Sequence, residues 1–564
     1  MIKAQLVSSL EKVFPKTEPK EWQKKKISGL YGETLSFQIA YCGENENIGK
    51  IKIKVKSSLQ DKMKYRLVGL VPSNFAAYTE RDENYITGAP GLFPDVLFPI
   101  TPRMGELCKA ADSAELNMKL MAKQWRSVWV DIALDKDIKT GDYLVKIMAE
   151  DDEGNPLLND SVSIEVIGAE LPKQELFHTE WFHADCLADY YKVEVFGERH
   201  WQILENFIVT MVKHGINTLL TPIFTPPLDT QIGGERTTVQ LVGVECTEDG
   251  YRFDFSQLER WLTLAFRLGM EYIEISHLFT QWGAKCAPKI MARKDGVEQK
   301  IFGWEDSATG KNYQEFLQAF LPKLTGFLEE RGIKDRVIFH ISDEPGLGDK
   351  KDYLAAKNSV KDMLAGYTIM DALSSYEMYQ EGVVETPVVA TDHIKPYLEN
   401  KVKDLWVYYC CAQKIDVANR FMAMPSARNR ILGVQLYKYD IKGFLHWGYN
   451  FYNSQFSLEK INPYYITDAG EGFPSGDAFL VYPGENGEAV ESLRLMILSQ
   501  ALQDIRALSL LESLTDKDFV MKLIESDLEM GISFFEYPKE EEYLFVLREK
   551  VNAEIAKRIH SVSY

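Results

Sequence analysis

From Thr34 to Gly168 apolar residues recur at every second position: Leu35, Phe37, Ile39 and Tyr41, then Ile51, Ile53 and Val55, then Tyr143, Val145 and Ile147, then Val162, Ile164 and Val166. Side chains alternate between the two faces of a strand, so this period predicts strands with one buried face. The stretch Gly88 to Pro102 carries four prolines and is expected to be a loop. The economical arrangement is a β-sandwich over residues 1–170, with Leu171-Pro172-Lys173 as its border.

Beyond that border short apolar runs alternate with helix-length amphipathic segments, the grammar of βαβ units around a parallel sheet. Eight strands are predicted, at Leu176–Ala184, Asn217–Pro222, Tyr272–Leu278, Val337–Ser342, Tyr367–Asp371, Val388–Thr391, Leu405–Cys410 and Gly443–Gly448. Helices are predicted between them, among them His200–His214, Phe255–Leu268, Asn312–Arg331, Lys351–Ala365 and Asn419–Leu432. Eight such units predict a (β/α)8 TIM-type barrel over 171–515, with a hairpin-like insert at Thr237–Phe255 and a long rim loop at Phe279–Lys311. A C-terminal helical extension over 516–564 completes the expected multidomain α and β fold.

The 564 residues are 45% hydrophobic and 26% charged, a globular composition. The net charge of -19 repels phosphate backbones and anionic bilayers, which argues against nucleic acid as a partner and favours a neutral or cationic ligand. No run of 18 apolar residues occurs, so membrane insertion is not expected. Seven scattered cysteines, at 42, 108, 186, 246, 286, 410 and 411, include no Cys-x-x-Cys spacing and signal neither a disulfide scaffold nor a zinc cage. With no signal peptide legible, a cytoplasmic location is expected. Glycine-rich nucleotide loops are missing, so no nucleotide cofactor is expected, and the strand-end histidines lack a paired spacing such as His-x-x-x-His, so no metal is expected. Oligomeric state stays open.

In such a barrel the strand-to-helix loops build the active face, so chemistry belongs at the carboxyl ends of strands. The fourth predicted strand runs into Asp343-Glu344-Pro345-Gly346, two adjacent carboxylates leaving an apolar strand. Residue 344 precedes a proline and is expected to be extended. Like-charge proximity and partial burial should raise one pKa, and a carboxylic acid kept neutral suits protonation of a glycosidic oxygen, with Glu344 as the candidate. The alternative is that the pair caps the next helix. His277 and His446 stand at other strand ends, as polar ligand contacts or as packing histidines. Saccharides present flat C–H faces, so rim aromatics are candidate platforms: Trp282, Trp304, Tyr397 and, foremost, Trp447.

A retaining glycosidase of the ordinary kind needs a second carboxylate as nucleophile. The predicted seventh strand ends in Ala412-Gln413-Lys414 without one. His340-Ile341-Ser342-Asp343-Glu344-Pro345, Gly443-Phe444-Leu445-His446-Trp447-Gly448-Tyr449-Asn450 and Gly476-Asp477 through Tyr482-Pro483-Gly484 together resemble glycoside hydrolase family 123. That resemblance implies a β-N-acetylgalactosaminidase acting on terminal GalNAc of glycans such as those of glycosphingolipids, with retention through an oxazolinium intermediate. It implies that Asp343 orients the 2-acetamido group, that Glu344 is the acid/base, and that Tyr397 and Trp447 contact the sugar. Two alternatives remain: a retaining β-glycosidase using Asp371 or Asp392 as nucleophile, and a non-catalytic carbohydrate-binding barrel.

Overall fold

The computed structural model describes residues 2–43 and 49–562. They form two compact units, one made of Met1–Gln174, Lys414–Lys438 and Val490–Tyr564, the other of Glu175–Gln413 and Tyr439–Ala489. The sequence reading drew its borders at residues 170 and 515; the observed grouping also gathers 414–438 and 490–564 with the N-terminal strands.

In the first unit the period of two becomes two sheets. One has five strands, in the order Ile2–Ser8, Thr34–Gly43, Trp125–Ala133, Met63–Ser73 and Gly91–Pro99; the other has six, running from Lys26–Tyr31 through Pro156–Glu170, Gly141–Asp151, Lys50–Lys56 and Ser113–Lys119 to Gly105–Lys109. Phe37, Ile39 and Val130 from the first and Ile53, Val145 and Ile164 from the second share one buried core. The expected loop around Pro94 is instead the edge strand Gly91–Pro99. An edge strand has one side without ladder partners, and prolines are tolerated there.

The same unit holds the helices Ser426–Arg430, Leu432–Lys438, Leu493–Leu514, Lys517–Glu525 and Glu541–Val562. The helix expected over Asn419–Leu432 begins only after Pro425, whose fixed φ suits a helix entrance. Buried arginines tie these segments to the strand region: Arg428 grips Asp82 with two hydrogen bonds of 2.8 and 2.7 Å, and Arg494 grips Asp95 with 2.9 and 2.8 Å. Arg548 bonds Glu33, and Arg66 bonds both Asp131 and Glu491.

The second unit is built on a closed eight-stranded barrel. Its strands are Phe177–Glu180, Thr218–Thr221, Tyr272–Ile275, Val337–Phe339, Thr368–Ala372, Thr386–Ala390, Trp406–Tyr408 and Gly443–His446, and the first pairs in parallel with the eighth. Each overlaps the corresponding predicted segment. Leu220, Ile338, Met370, Val388 and Trp406 fill the interior. Helix Ser256–Leu268 shows why the amphipathic reading works: Leu258, Trp261, Leu262 and Ala265 form one buried stripe, and Gly269, at φ +106°, ends it. The insert forms the expected hairpin, Gly243–Thr247 with Gly250–Asp254. The rim loop holds a second, unexpected hairpin, Ile290–Lys294 with Val297–Phe302, and the two pairs make a four-stranded sheet. Its turn is Asp295-Gly296, both at positive φ, a dipeptide suited to the tight turn that joins twisted strands. Among the described residues no helix is long and apolar enough to cross a membrane.

Candidate active site

A cavity of about 310 Å³ opens at the carboxyl ends of the barrel strands. Strand one contributes Trp181, strand four Asp343 and Glu344, strand five Ala372, strand seven Tyr408 and Cys410, and strand eight Leu445 and Trp447. Loops close its sides with Asp229, Trp282 and Phe456. The loop after strand three is fastened to the end of strand four, because Trp282 N–H donates to the Asp343 carbonyl at 2.9 Å and Ala284 N–H to the Ser342 hydroxyl at 3.1 Å.

Glu344 is not extended: its φ is +42°, the left-handed region that non-glycine residues avoid. Asp229, Trp282 and Phe456 also have positive φ, so four residues lining one cavity hold conformations costing on the order of 1–3 kcal/mol each. The surroundings impose the turn at Glu344. Its neighbour's carbonyl is held by Trp282, and its own Oε1 accepts a 2.5 Å bond from the Tyr408 hydroxyl. The turn carries both carboxylates to the same cavity. Burial raises the Asp343 pKa well above the usual range, and the charges of Glu344 and Asp371 raise it further. Glu344 faces the open space but sits between protein walls; this burial raises its pKa, against the Tyr408 hydrogen bond, which lowers it. In such a pair burial and mutual repulsion disfavour ionising both carboxyls at once.

Beneath the pair lies a buried ion array. His340 Nε2 meets Glu274 Oε1 at 2.6 Å, and its Nδ1 meets Asp371 Oδ1 at 3.2 Å. Burial alone would lower the pKa of His340, but the bonds to Asp371 and Glu274 and their charges lift it to about 10, so the ring is an imidazolium. Asp371 is saturated further by the Tyr353 hydroxyl at 2.5 Å and the Ile341 N–H at 3.1 Å. Glu274 accepts from Trp181 Nε1 at 2.8 Å and from the Thr179 hydroxyl. His277 stacks on His340, ring centroids 4.5 Å apart, and burial and that neighbouring cation keep it neutral. The donor atoms of His277, His340 and Asp371 lie within 4.8 Å of one another, a metal-like cluster. Both nitrogens of His340 are already engaged by Glu274 and Asp371, however.

Trp447 is held at its ring and at its backbone. Its Nε1 donates to the buried Asp477 at 2.9 Å, and its carbonyl accepts from His183 Nε2 at 2.9 Å. Arg236 fixes that tautomer: it donates to His183 Nδ1 at 3.0 Å while making two 2.8 Å bonds to Asp185 and one of 3.0 Å to the Leu228 carbonyl. One buried guanidinium therefore joins the loops after strands one, two and eight. Asp229, next to Leu228, accepts from Phe456 N–H at 3.0 Å, and burial raises its pKa to about 6.

A sequence model of the glycoside hydrolase 123 catalytic domain matches residues 181–511. The chain belongs to glycoside hydrolase family 123. A family 123 glycoside hydrolase from Clostridium perfringens is 16% identical, with a TM-score of 0.72 over 100% of this chain and 98% of that one, a likeness of fold. A β-glucuronidase from Bacteroides uniformis is 10% identical, with a TM-score of 0.30 over 85% of this chain and 48% of that one. No curated protein matches the sequence.

Of the residues singled out from sequence, the cavity of this family 123 hydrolase brings together Asp343, Glu344, Trp447 and Trp282. Trp282 is 37% exposed and packs edge-on against Phe456. The cavity lining does not include the other four. Tyr397 is fully buried among Tyr376 and Tyr379, because its short helix turns it inward. Trp304 bonds the Gly234 carbonyl and lines a separate small crevice. His277 belongs to the ion array. His446 lies beneath Trp447, stacked on it, with its Nε2 3.3 Å from Asp477. Sequence reasoning passed over Tyr408, Asp229 and Arg236. Tyr408 sits in an aromatic run that reads as core, and Arg236 in a loop with no local signature.

Proposed function

We propose that this hydrolase releases terminal β-linked N-acetylgalactosamine from glycans, with retention, by substrate-assisted catalysis. The supporting observation is the carboxylate inventory of the cavity: adjacent Asp343 and Glu344 at its base, Asp229 on a side loop, and none from strand seven. The two nucleophiles of the ordinary retaining alternative are poorly suited. Asp371 is consumed by Tyr353, Ile341 and His340, and Asp392 is tied to Gln413 at 2.9 Å and His393 at 2.7 Å outside the cavity lining. In this reading the substrate's acetamido oxygen attacks C1, Asp343 accepts the amide N–H and stabilises the charge growing on it, and Glu344 delivers its proton to the leaving oxygen. An amide donor at Asp343 favours charge there, and the His340 imidazolium beneath it acts in the same sense, which leaves the shared proton on Glu344. Trp447 offers the sugar a flat apolar face. The Clostridium perfringens relative is described with glycolipid glycan hydrolysis, and we extend that substrate class to this chain. The two-sheet region, read as a β-sandwich, carries no catalytic group.

Aryl glycosides differing at C2 and C4 test the reading. Turnover should require the 2-acetamido group, and a thiazoline mimic of the cyclised sugar should inhibit. Asp343→Asn should weaken that inhibition and cost about 2.7–4 kcal/mol in the transition state. A sugar trapped covalently on an enzyme carboxylate would overturn the mechanism, and equal turnover of 2-hydroxy glycosides would overturn the specificity.

A further inference from the structure

Two consecutive cysteines, Cys410 and Cys411, both line the cavity, both are partly exposed and neither is in a disulfide. They leave the end of strand seven in a tight turn, closed by Gln413 N–H donating to the Cys410 carbonyl at 3.2 Å and by Cys410 N–H donating to Gln413 Oε1 at 2.9 Å. The two residues border the same cavity and are adjacent in the chain, which brings both thiols to one space. Tyr408, two residues upstream, holds Glu344, and the charges of Glu344 and Asp477 both act on the Cys410 thiol.

From this juxtaposition we propose that Cys410 and Cys411 form a dithiol site in the catalytic cavity for a soft, trivalent thiophile, trivalent arsenic being the ligand class, and that its capture blocks the cavity. Adjacent Cα atoms stand about 3.8 Å apart across a trans peptide, short of the roughly 4.4–6.8 Å that ordinary disulfides span. A direct bond between these sulfurs is therefore strained, and the pair stays available as thiols. A bridging arsenic enlarges the ring by one atom and relieves that strain. With phenylarsine oxide, two arsenic–sulfur bonds form while the arsenic–oxygen bond breaks, and both thiol protons leave with the oxygen as one water. Arsenic stays trivalent, so no oxidant or reductant is needed. The inference is independent of which sugar the cavity takes.

The test incubates the full chain with phenylarsine oxide. Intact mass should show one phenylarsenic group per chain and thiol titration the loss of two thiols. Hydrolysis of any aryl glycoside the enzyme turns over should fall in step, and a dithiol should restore it where a monothiol does not. Cys410→Ser and Cys411→Ser should each weaken capture by on the order of 10², the loss of one of two tethered contacts. Cys108→Ser, in the other unit, should leave capture and hydrolysis unchanged. Should a single variant fail to fold, alkylation mapping of the unmodified chain decides: the peptide containing Cys410 and Cys411 should be the one protected by the arsenical. Protection of a different cysteine, undiminished capture by a single-serine variant, or full hydrolysis by the arsenical-loaded chain would overturn the proposal.

Discussion

At the residue scale the chemistry rests on a strained glutamate. Glu344 holds its left-handed backbone only because the chain on one side and Tyr408 on the other leave it no alternative. Its raised pKa gives a sign to the pH profile. The group must be protonated to act as an acid, so kcat/KM should fall as pH rises through the pair's pKa, and Glu344→Gln should abolish that alkaline limb. The variant should lose most activity on poor leaving groups and little on activated ones; equal losses on both would remove the acid role. Asp343 gives a second expectation. Its ionised form is disfavoured by burial and by like charge, so a neutral isostere relieves repulsion. Asp343→Asn should unfold at a higher temperature than the parent at neutral pH, by about 0.5–2 kcal/mol of stability, even as turnover is lost. A lower melting temperature would show that the carboxylate also serves the fold.

At the scale of elements, strands three, four and five are joined by the Glu274, His340 and Asp371 array. The His340 pKa is about 10 in the folded chain and near 6.5 when unfolded. The folded state thus binds the extra proton between those values. Its contribution to stability is fully present below pH 6.5 and is lost as pH rises toward 10. His340→Gln should flatten this part of the stability profile and, by leaving two buried carboxylates without their cation, cost about 3–5 kcal/mol. Denaturation curves across that range measure both. These strands were legible because parallel barrel strands are apolar on both faces and bounded by turns, and Asp343-Glu344 because charge after such a run is conspicuous. The Gly91–Pro99 strand was missed because proline density outweighed its edge position. The hairpin at Asp295-Gly296 was missed although its turn dipeptide is explicit. Tyr397 was misplaced because exposure cannot be read from a tyrosine on a short helix, and Arg236 went unseen because its partners Asp185, His183 and Leu228 come from distant sequence.

At the scale of the whole molecule, the first unit is made of three stretches of chain and the second of two. Removing residues 1–170 would therefore not free a barrel cleanly. It would strip Arg428 of Asp82, Arg494 of Asp95 and Arg548 of Glu33, removing a carboxylate partner from each of three buried guanidiniums, of which Arg548 keeps Asp504. A chain starting at 171 should accumulate as aggregate or lack a cooperative melting transition; a sharp transition near that of the parent would show that these pairs are dispensable.

This interleaving also bears on how such a protein can be inherited. The catalytic-domain match, 181–511, already contains all of Lys414–Lys438 and part of the stretch beginning at Val490, both belonging to the first unit. A recombination event that moved only the matched stretch would transplant arginines without their acids. A transplanted segment that keeps those arginines paired has to carry the strand-rich region with it.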